Sequence, residues 1–270
     1  MDRTVKSPVL QHLLQACPVP GLAACLAGVE RDFGEHAGDF PALAEKYEVF
    51  GKPSLDLDEK LQALIRAAVE LASAEAPHWD KIAARLRYLD FARHLAESEA
   101  KRGITNFVAK LRYLTAKELY GSYILENYTD QELRAASRFI VAERNHLYSY
   151  AGLDLLLSRY VIHTHHGVAL ESPQEMYLGI ALHLAMLEEP SVRMDWVRRF
   201  YDMLSLQQVT MATPTLANAR KPYHQLSSCF IDTVPDSLDG IYRSLDSFAK
   251  VSKWGGGMGL YFGKVRATGA

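Results

Sequence analysis

Residues 225–267, QLSSCFIDTVPDSLDGIYRSLDSFAKVSKWGGGMGLYFGKVRA, decide the fold of the C-terminal part of the sequence. The apolar run at 225–234 predicts a buried strand, and residues 260–267 predict a second strand. Between them, helical spacing predicts one helix, which the glycine run at 255–259 ends; its apolar stripe is Leu238, Ile241, Leu245 and Phe248. Two strands alone do not form a stable sheet. We therefore interpret this region as the beginning of a larger α/β unit.

The sequence before residue 208 follows helical periodicity. Residues 57–72 and 79–100 predict two long helices. At 129–132 (TDQE), a hydroxyl and a carboxylate in capping-box spacing predict a further helix start, and the stripe of that helix is Leu133, Ala136, Ile140 and Leu147. Residues 172–175 (SPQE) repeat the signal, with proline at the first helical position. The predicted strands therefore follow a mainly helical region.

Composition and charge exclude several classes of protein. Hydrophobic residues make up 49% and charged residues 23%, which argues against wholesale disorder. The net charge of −2 lacks the basic excess typical of proteins that bind polymeric nucleic acid. The longest apolar stretch, 176–187, is shorter than the roughly 20 residues of a membrane span. Residues 1–14 lack a signal-peptide pattern, and three cysteines form no disulfide framework, so we expect a cytoplasmic protein.

The glycine run does not match the common nucleotide-binding loops. Gly263-Lys264 is followed by Val265, so a Walker A loop is absent, and Phe262 takes the place of the third glycine of a dinucleotide fingerprint. Two interpretations stay open for the run. It forms a tight turn between helix and strand, or it lets the backbone approach a ligand closely.

No metal-ligating set is predicted. His163, His165 and His166 are dense, but no second ligand cluster at matching spacing accompanies them, and a surface turn before Gly167 is favoured. Cys17 and Cys25 match no zinc spacing and are interpreted as small buried hydrophobic residues.

Three further residues each allow a structural and a functional interpretation. Cys229 is either inert packing in a strand or a thiol presented as a nucleophile, reductant or hydrogen donor. Asp236 is either a helix cap or part of a site for an anion or a sugar hydroxyl at the amides of Ser237 and Leu238. Arg266 pairs either with a phosphate or with a carboxylate.

Five short motifs occur in a specific order: Thr213-Pro-Thr, Ser227-Ser-Cys, Asp236-Ser-Leu, Gly255-Gly-Gly-Met-Gly and Val265-Arg-Ala. This ordered set closely resembles the large, catalytic subunit of class I ribonucleotide reductases. Helical segments upstream extend the resemblance to roughly residues 80–270. The resemblance implies a mainly α N-terminal domain followed by the first strands of a ten-stranded α/β barrel, which is incomplete in this sequence.

The resemblance also implies a reaction and its partners. In that family, a radical from a metal-containing small subunit reaches a cysteine of the large subunit, and the thiyl radical removes the 3′ hydrogen of a ribonucleoside diphosphate. Two further cysteines supply reducing equivalents and leave as a disulfide, which thioredoxin or glutaredoxin reduces. Large subunits form homodimers and bind nucleoside triphosphate effectors. We expect no cofactor to be bound by this chain itself.

The resemblance carries over to individual residues. Cys229 matches the first of the two reductant cysteines, and Thr213, Ser228, Cys229 and Gly257 match substrate-binding positions. Asp236, Ser237 and Leu238 match the segment that contacts the effector nucleoside, and Arg266 matches a phosphate-binding arginine. The helix at 237–253 resembles the one through which two large subunits pair, although its apolar stripe would look the same in a core.

The sequence also departs from the family pattern. The thiyl-forming cysteine, the second reductant cysteine and the catalytic carboxylate lie in later barrel strands, so we expect no turnover by this chain alone and leave room for a complementing C-terminal chain. Val5-Lys6 is followed by Ser7-Pro8, so no ATP-cone is recognisable. We divide the chain into an N-terminal helical segment (1–75), a helical domain (76–207) and the start of the barrel (208–270). The alternative is a non-catalytic nucleotide-binding or dimerisation module derived from the family.

Overall fold

A computed structural model describes residues 5–270, and most of them are helical. Residues 1–4 lie outside the described residues. They are the first four residues of the predicted segment 1–75 and of residues 1–14, which lack a signal-peptide pattern. No helix between residues 5 and 270 combines the length and apolar character that crossing a bilayer requires.

The helices occupy most of the chain, in the following order. Up to Gly103 they are α1 (Pro8–Ala16), α2 (Leu22–Asp32), a 3-10 helix (Gly34–Asp39), α3 (Phe40–Phe50), α4 (Leu57–Leu71) and α5 (His78–Arg102). The next are α6 (Phe107–Ala116), α7 (Ser122–Asn127), α8 (Asp130–Ser137), a 3-10 helix (Ala142–Leu147), α9 (Tyr150–Leu155) and a π-helical turn (Leu156–Tyr160). The last are α10 (Pro173–Ala185), α11 (Arg193–Ser205), α12 (Thr213–Asn218) and α13 (Leu238–Lys253).

The described chain divides into two compact units. The first contains the described residues up to Gly103 together with Val141–Gln174, and the second contains Ile104–Ile140 together with Glu175–Ala270. Each unit is therefore assembled from two separate stretches of sequence. The predicted division at 75/76 and 207/208 stays a prediction.

The core of the first unit is built from the apolar faces of α1 to α5. Its fully buried members include Leu10, Leu13, Leu26, Leu61 and Ile82. Cys17 is buried in this core, which confirms its interpretation as a small buried hydrophobic residue, whereas Cys25 packs against the core half-buried. Burial raises the pKa of the Cys25 thiol to about 12.

The predicted capping box opens α8 in the second unit. Thr129 Oγ1 accepts from the Glu132 amide at 3.3 Å, and Glu132 Oε2 accepts from the Thr129 amide at 2.8 Å. The predicted continuation of this helix to Leu147 is wrong, because α8 ends at Ser137 and Val141 is extended. Leu147 is 41% exposed and takes no part in a buried stripe.

Two strands lie near the C-terminus on either side of α13, as predicted, and they pair in parallel. Strand β1 (Cys229–Thr233) pairs with β2 (Gly257–Tyr261), with Cys229 opposite Gly257 and Thr233 opposite Tyr261. Both strands differ from their predicted bounds. Residues 225–228 lie outside β1, and the carbonyls of Gln225 and Leu226 accept from side chains of α12 instead of from a neighbouring strand.

The glycine run both turns the chain and begins a strand. Gly255 has φ +82°, a conformation that favours glycine, and makes the turn after α13. Gly256 is buried, and a Cβ there would lie 2.7 Å from Val251 and 3.0 Å from the Phe230 ring. Glycine is therefore required for close packing of α13 on the strands. Gly257 and Gly259 lie within β2, so the strand begins three residues before its predicted start at residue 260.

Candidate functional site

The first candidate substrate residue, Thr213, lies at the start of a short helix. Thr213 is the first residue of α12, and Pro214 follows it in the first turn, where proline is tolerated. Thr213 is half-buried, and its Cγ2 lies 3.9 Å from the position that a Cβ on Gly255 would occupy. The helix start therefore lies beside the glycine turn that leads into β2.

Asn218 ties α12 to the segments that precede both strands. Its Nδ2 donates to the Gln225 carbonyl at 3.0 Å, before β1, and to the Trp254 carbonyl at 3.1 Å, before β2. Thr215 Oγ1 adds a longer bond of 3.4 Å to the Leu226 carbonyl. Asn218 and Thr215 are both buried. Sequence reasoning missed Asn218, because bonds from one side chain to distant main-chain carbonyls leave no local pattern.

The other three candidate substrate residues meet at the amino ends of the two strands. The Gly257 amide donates to the Ser228 carbonyl at 2.7 Å, which places Cys229 directly opposite Gly257. Ser228 Oγ donates to Cys229 Sγ at 3.6 Å. The structure therefore brings Ser228, Cys229 and Gly257 together, with Thr213 next to the same turn.

Cys229 is exposed, unlike the other two cysteines. This placement is at odds with inert packing inside a strand and leaves the thiol able to react with a molecule in solution. A Cβ on Gly257 would meet the Ser228 carbonyl at 3.6 Å, an ordinary contact. Among the described residues, then, no close neighbour demands glycine at 257, and the space beside it is open to a ligand.

A buried polar cluster lies next to α12. The Tyr123 hydroxyl donates to the Ala219 carbonyl at 2.7 Å and lies 2.9 Å from His183 Nδ1. Because the hydroxyl proton goes to the carbonyl, Nδ1 of His183 carries the hydrogen of the second bond. Burial lowers the pKa of His183 from 6.5 to about 4, and burial also raises the pKa of Tyr123. The cluster stays uncharged at neutral pH and fixes the main chain beside Asn218.

The four candidate effector residues lie beyond the carboxyl ends of the strands. Ser237, not Asp236, caps α13, because Ser237 Oγ accepts from the Gly240 amide at 3.1 Å. The Asp236 carboxylate instead accepts from Arg266 Nε at 2.7 Å. The interpretation of Asp236 as a helix cap is therefore wrong, and Arg266 pairs with a carboxylate in this structure.

Arg266 keeps most of its guanidinium accessible. Its side chain is 59% exposed, and within residues 5–270 Nε makes its only ion pair. Leu238, the first residue of α13, is 71% exposed. The group therefore includes an exposed cation, which can pair with a phosphate, and an exposed apolar side chain. Arg266 lies after β2, outside the strand predicted for it.

Helix α13 packs on the strands through small residues and exposes its large ones. Gly240 and Ser244 are the buried residues of the helix. The apolar stripe predicted from the sequence, Leu238, Ile241, Leu245 and Phe248, faces solvent, and Tyr242 is exposed as well. In this chain the stripe is therefore not part of a core.

The histidine run lies in a surface turn, as predicted. His163 pairs with Ala169 in an antiparallel bridge, and Gly167 in the connecting turn has φ +77°. No group of three metal-ligating side chains within the described residues includes these histidines.

Comparison with known families assigns the chain to a class of enzymes. Residues 146–224 match the family model for the all-alpha domain of ribonucleotide reductase, and residues 227–270 match that for its barrel domain. The chain belongs to the ribonucleotide reductase family. The predicted fold class is thereby confirmed: a mainly α region followed by the start of the barrel domain, with two parallel strands.

Curated relatives narrow this class to the large subunit. The chain is 52% identical over 269 residues to the ribonucleoside-diphosphate reductase subunit alpha of Treponema pallidum, covering 100% of this chain and 32% of the relative. It is 36% identical over 209 residues to the Synechocystis alpha subunit, covering 77% of this chain and 26% of the relative. The Helicobacter pylori alpha subunit is 33% identical over 220 residues, and this alignment covers 81% of this chain and 27% of the relative. The chain thus spans about a third or less of these relatives, and the Treponema alignment includes most of residues 1–75.

Proposed function

We propose that the chain forms the first part of the large subunit of a ribonucleoside-diphosphate reductase, which makes deoxyribonucleoside diphosphates for DNA synthesis. Cys229 is one of the two thiols that deliver reducing equivalents, and Thr213, Ser228 and Gly257 hold the substrate. The observation that carries the proposal is an exposed thiol at Cys229, opposite Gly257 and beside the Ser228 hydroxyl. An exposed thiol can reach a ribose, whereas a thiol in a core cannot.

The reductive step needs two thiols. Together they give up two electrons and two protons and become a disulfide, while the 2′ hydroxyl leaves as water and C2′ gains a hydrogen. Cys17 is in the core, and Cys25 is half-buried against it with a raised pKa, so neither suits the second position. In this proposal the second thiol and the thiyl radical come from residues outside this sequence. The radical originates in a metal-containing small subunit, and thioredoxin or glutaredoxin reduces the disulfide.

Asp236, Ser237, Leu238 and Arg266 form the effector site in this proposal. The exposed guanidinium of Arg266 binds phosphates of a nucleoside triphosphate, and Asp236 orients it through the 2.7 Å bond. The exposed stripe of α13 supports pairing of two large subunits, since burying such a stripe against its symmetric copy removes apolar surface from water. The protein works in the cytoplasm, where cysteines stay reduced.

Activity measurements test the role of Cys229. The 270-residue chain with a small subunit and thioredoxin is expected to give no turnover, and turnover is expected once a complementing chain supplies the remaining barrel. In that reconstituted enzyme, Cys229→Ser abolishes reduction and Cys25→Ser retains it. Turnover by the 270-residue chain alone, or full activity of Cys229→Ser, would contradict the proposal.

Binding measurements test the effector site and the alternative function. In calorimetric titrations with deoxynucleoside triphosphates, Asp236→Ala and Arg266→Ala should weaken binding at least tenfold. Asp246→Ala is the matched control, because it removes an exposed carboxylate of α13 that pairs only with Lys250 among the described residues. If the chain binds nucleotide but no complementing chain restores turnover, the non-catalytic nucleotide-binding or dimerisation module would be favoured. The exposed stripe of α13 and the group around Arg266 also fit such a module.

A further inference from the structure

A histidine–carboxylate cluster lies in the first unit, in a part of the chain that the proposed function does not use. His36, from the 3-10 helix Gly34–Asp39, stacks on His78, the first residue of α5, with ring centroids 4.0 Å apart and an interplanar angle of 3°. Asp39 ends the same 3-10 helix, and its Oδ2 lies 3.3 Å from His78 Nε2. One ligand atom from each of the three side chains lies within 4.8 Å of the other two.

The buried member of the cluster has an unsatisfied nitrogen. His78 is 8% exposed, and its Nε2 is buried without a hydrogen-bond partner among residues 5–270. The nearby Asp39 oxygen is close enough for attraction but is not aligned for a hydrogen bond. Buried polar atoms in folded proteins almost always have a partner. This nitrogen therefore points to a partner that lies between it and the carboxylate.

We propose that His36, Asp39 and His78 bind one divalent transition-metal ion of the zinc type. Imidazole nitrogen and carboxylate oxygen are the usual non-sulfur ligands of zinc, at about 2.0–2.2 Å. In a tetrahedral site with such bonds, neighbouring ligand atoms lie about 3.3–3.4 Å apart. The 3.3 Å between His78 Nε2 and Asp39 Oδ2 already has this separation.

The other two side chains can complete the geometry. An imidazole nitrogen binds an ion in the plane of its ring, so His36 must leave its stack on His78 for both rings to bind the same ion. The side chain of His36 is 39% exposed and that of Asp39 is 51% exposed, so both have room to turn toward an ion that enters from solvent. Glu35 Oε1 lies 3.5 Å from His36 Nε2 and adds negative charge beside the cluster. Three protein ligands leave the fourth position of a tetrahedral ion to water.

Binding at this position would connect two elements of the first unit. His36 and Asp39 lie on the 3-10 helix before α3, whereas His78 begins α5. An ion held by all three cross-links the 3-10 helix to the start of α5, and binding only to the folded chain stabilises it. This inference does not depend on the proposed reductase function, because the cluster and the residues around Cys229 lie in different units.

The test is a zinc titration of the chelator-treated chain in competition with a chromophoric chelator, repeated with cobalt(II) to observe the visible bands of a tetrahedral site. We expect one ion per chain. His36→Ala and Asp39→Asn should each weaken zinc binding at least tenfold and remove the cobalt bands. Asp39 makes no capping hydrogen bond to α3, so Asp39→Asn should leave the fold intact.

The matched control is the double variant His165→Ala/His166→Ala, which removes two exposed histidines of the surface turn. It should bind zinc like the unmodified chain. Zinc at 100 times its dissociation constant should raise the ratio of folded to unfolded chain about 100-fold in the unmodified chain and the control, but not in Asp39→Asn. Absence of a bound ion, binding that survives His36→Ala and Asp39→Asn, or binding lost in the control would overturn the proposal.

Discussion

Replacing Asn218 by alanine removes the side chain that connects α12 to the two segments that precede strands β1 and β2. Its amide makes bonds of 3.0 Å and 3.1 Å to the carbonyls of Gln225 and Trp254, and the residue is buried. Two neutral hydrogen bonds contribute about 1 kcal/mol each, and carbonyls left without a partner add to the loss, so we expect a cost of about 2–3 kcal/mol. The loss of stability should be greatest where the two segments that precede the strands meet, at the hydrogen bond from the Gly257 amide to the Ser228 carbonyl.

Hydrogen exchange measures this effect directly. A loss of about 2 kcal/mol corresponds to about a 30-fold faster exchange of the Gly257 amide, if that amide opens locally. Asn127→Ala is the control, since the exposed Asn127 makes one local bond to the Tyr123 carbonyl and should leave Gly257 unchanged. If Asn218→Ala and Asn127→Ala give the same exchange rate at the Gly257 amide, then Asn218 does not hold together the segments that precede the two strands. That result would contradict the role given to Asn218 in the site.

Three other side chains should respond measurably to titration, modification or substitution. Burial lowers the pKa of His183 to about 4, so between pH 6.5 and 4 the unfolded chain binds more protons at this residue than the folded chain does. The free energy of unfolding should therefore fall on acidification by up to about 1.4 kcal/mol per pH unit from this residue. His183→Gln should reduce that slope. A thiol reagent should modify Cys229 first in the native chain, and Cys229→Ser should remove the fast phase; a fast phase that remains would contradict the exposure of this thiol. The ammonium of Lys110 lies 2.5 Å and 2.6 Å from the two carboxylate oxygens of Glu175. In denaturant titrations, Lys110→Met should lower the free energy of unfolding by about 3–5 kcal/mol, because it leaves the carboxylate without this partner. The double variant Lys110→Met/Glu175→Gln should recover most of that loss.

Features that depend on local chemistry were predictable from the sequence. The capping box at Thr129 and Glu132 forms as expected, because both partners lie within one turn of helix. The helix predicted from the SPQE signal begins at Pro173. The run at 57–72 forms α4 (Leu57–Leu71) because its period places one apolar face on the core.

Features that depend on distant partners were not predictable in detail. Residues 225–228 have the composition of a strand, but α12 side chains take the carbonyls that a neighbouring strand would use. Gly257 and Gly259 have low strand propensity, yet they lie in β2 because β1 supplies hydrogen bonds along their main chain. The strand bounds were therefore displaced in both cases.

The same distinction applies to the sites. The order of short motifs indicated Cys229 and its neighbours, whereas Asn218 acts only through main-chain atoms and has no sequence signal. His36, Asp39 and His78 were missed because two segments far apart in sequence bring them together. A search by spacing alone finds ligands only when they share one helix or one turn.

The proposed substrate and effector groups are connected by single elements of secondary structure. Four steps along β1, from Cys229 to Thr233, rise about 13 Å, so the two groups lie at opposite ends of one strand pair. Helix α13 begins at the cap Ser237, beside the bonded pair of Asp236 and Arg266, and ends at Trp254, whose carbonyl Asn218 holds. Because a helix is stiff along its axis, we expect a shift of its first turn to displace the turn at Gly255, which leads into Gly257. The same helix exposes its apolar stripe, so a partner that covers the stripe would restrain both groups at once.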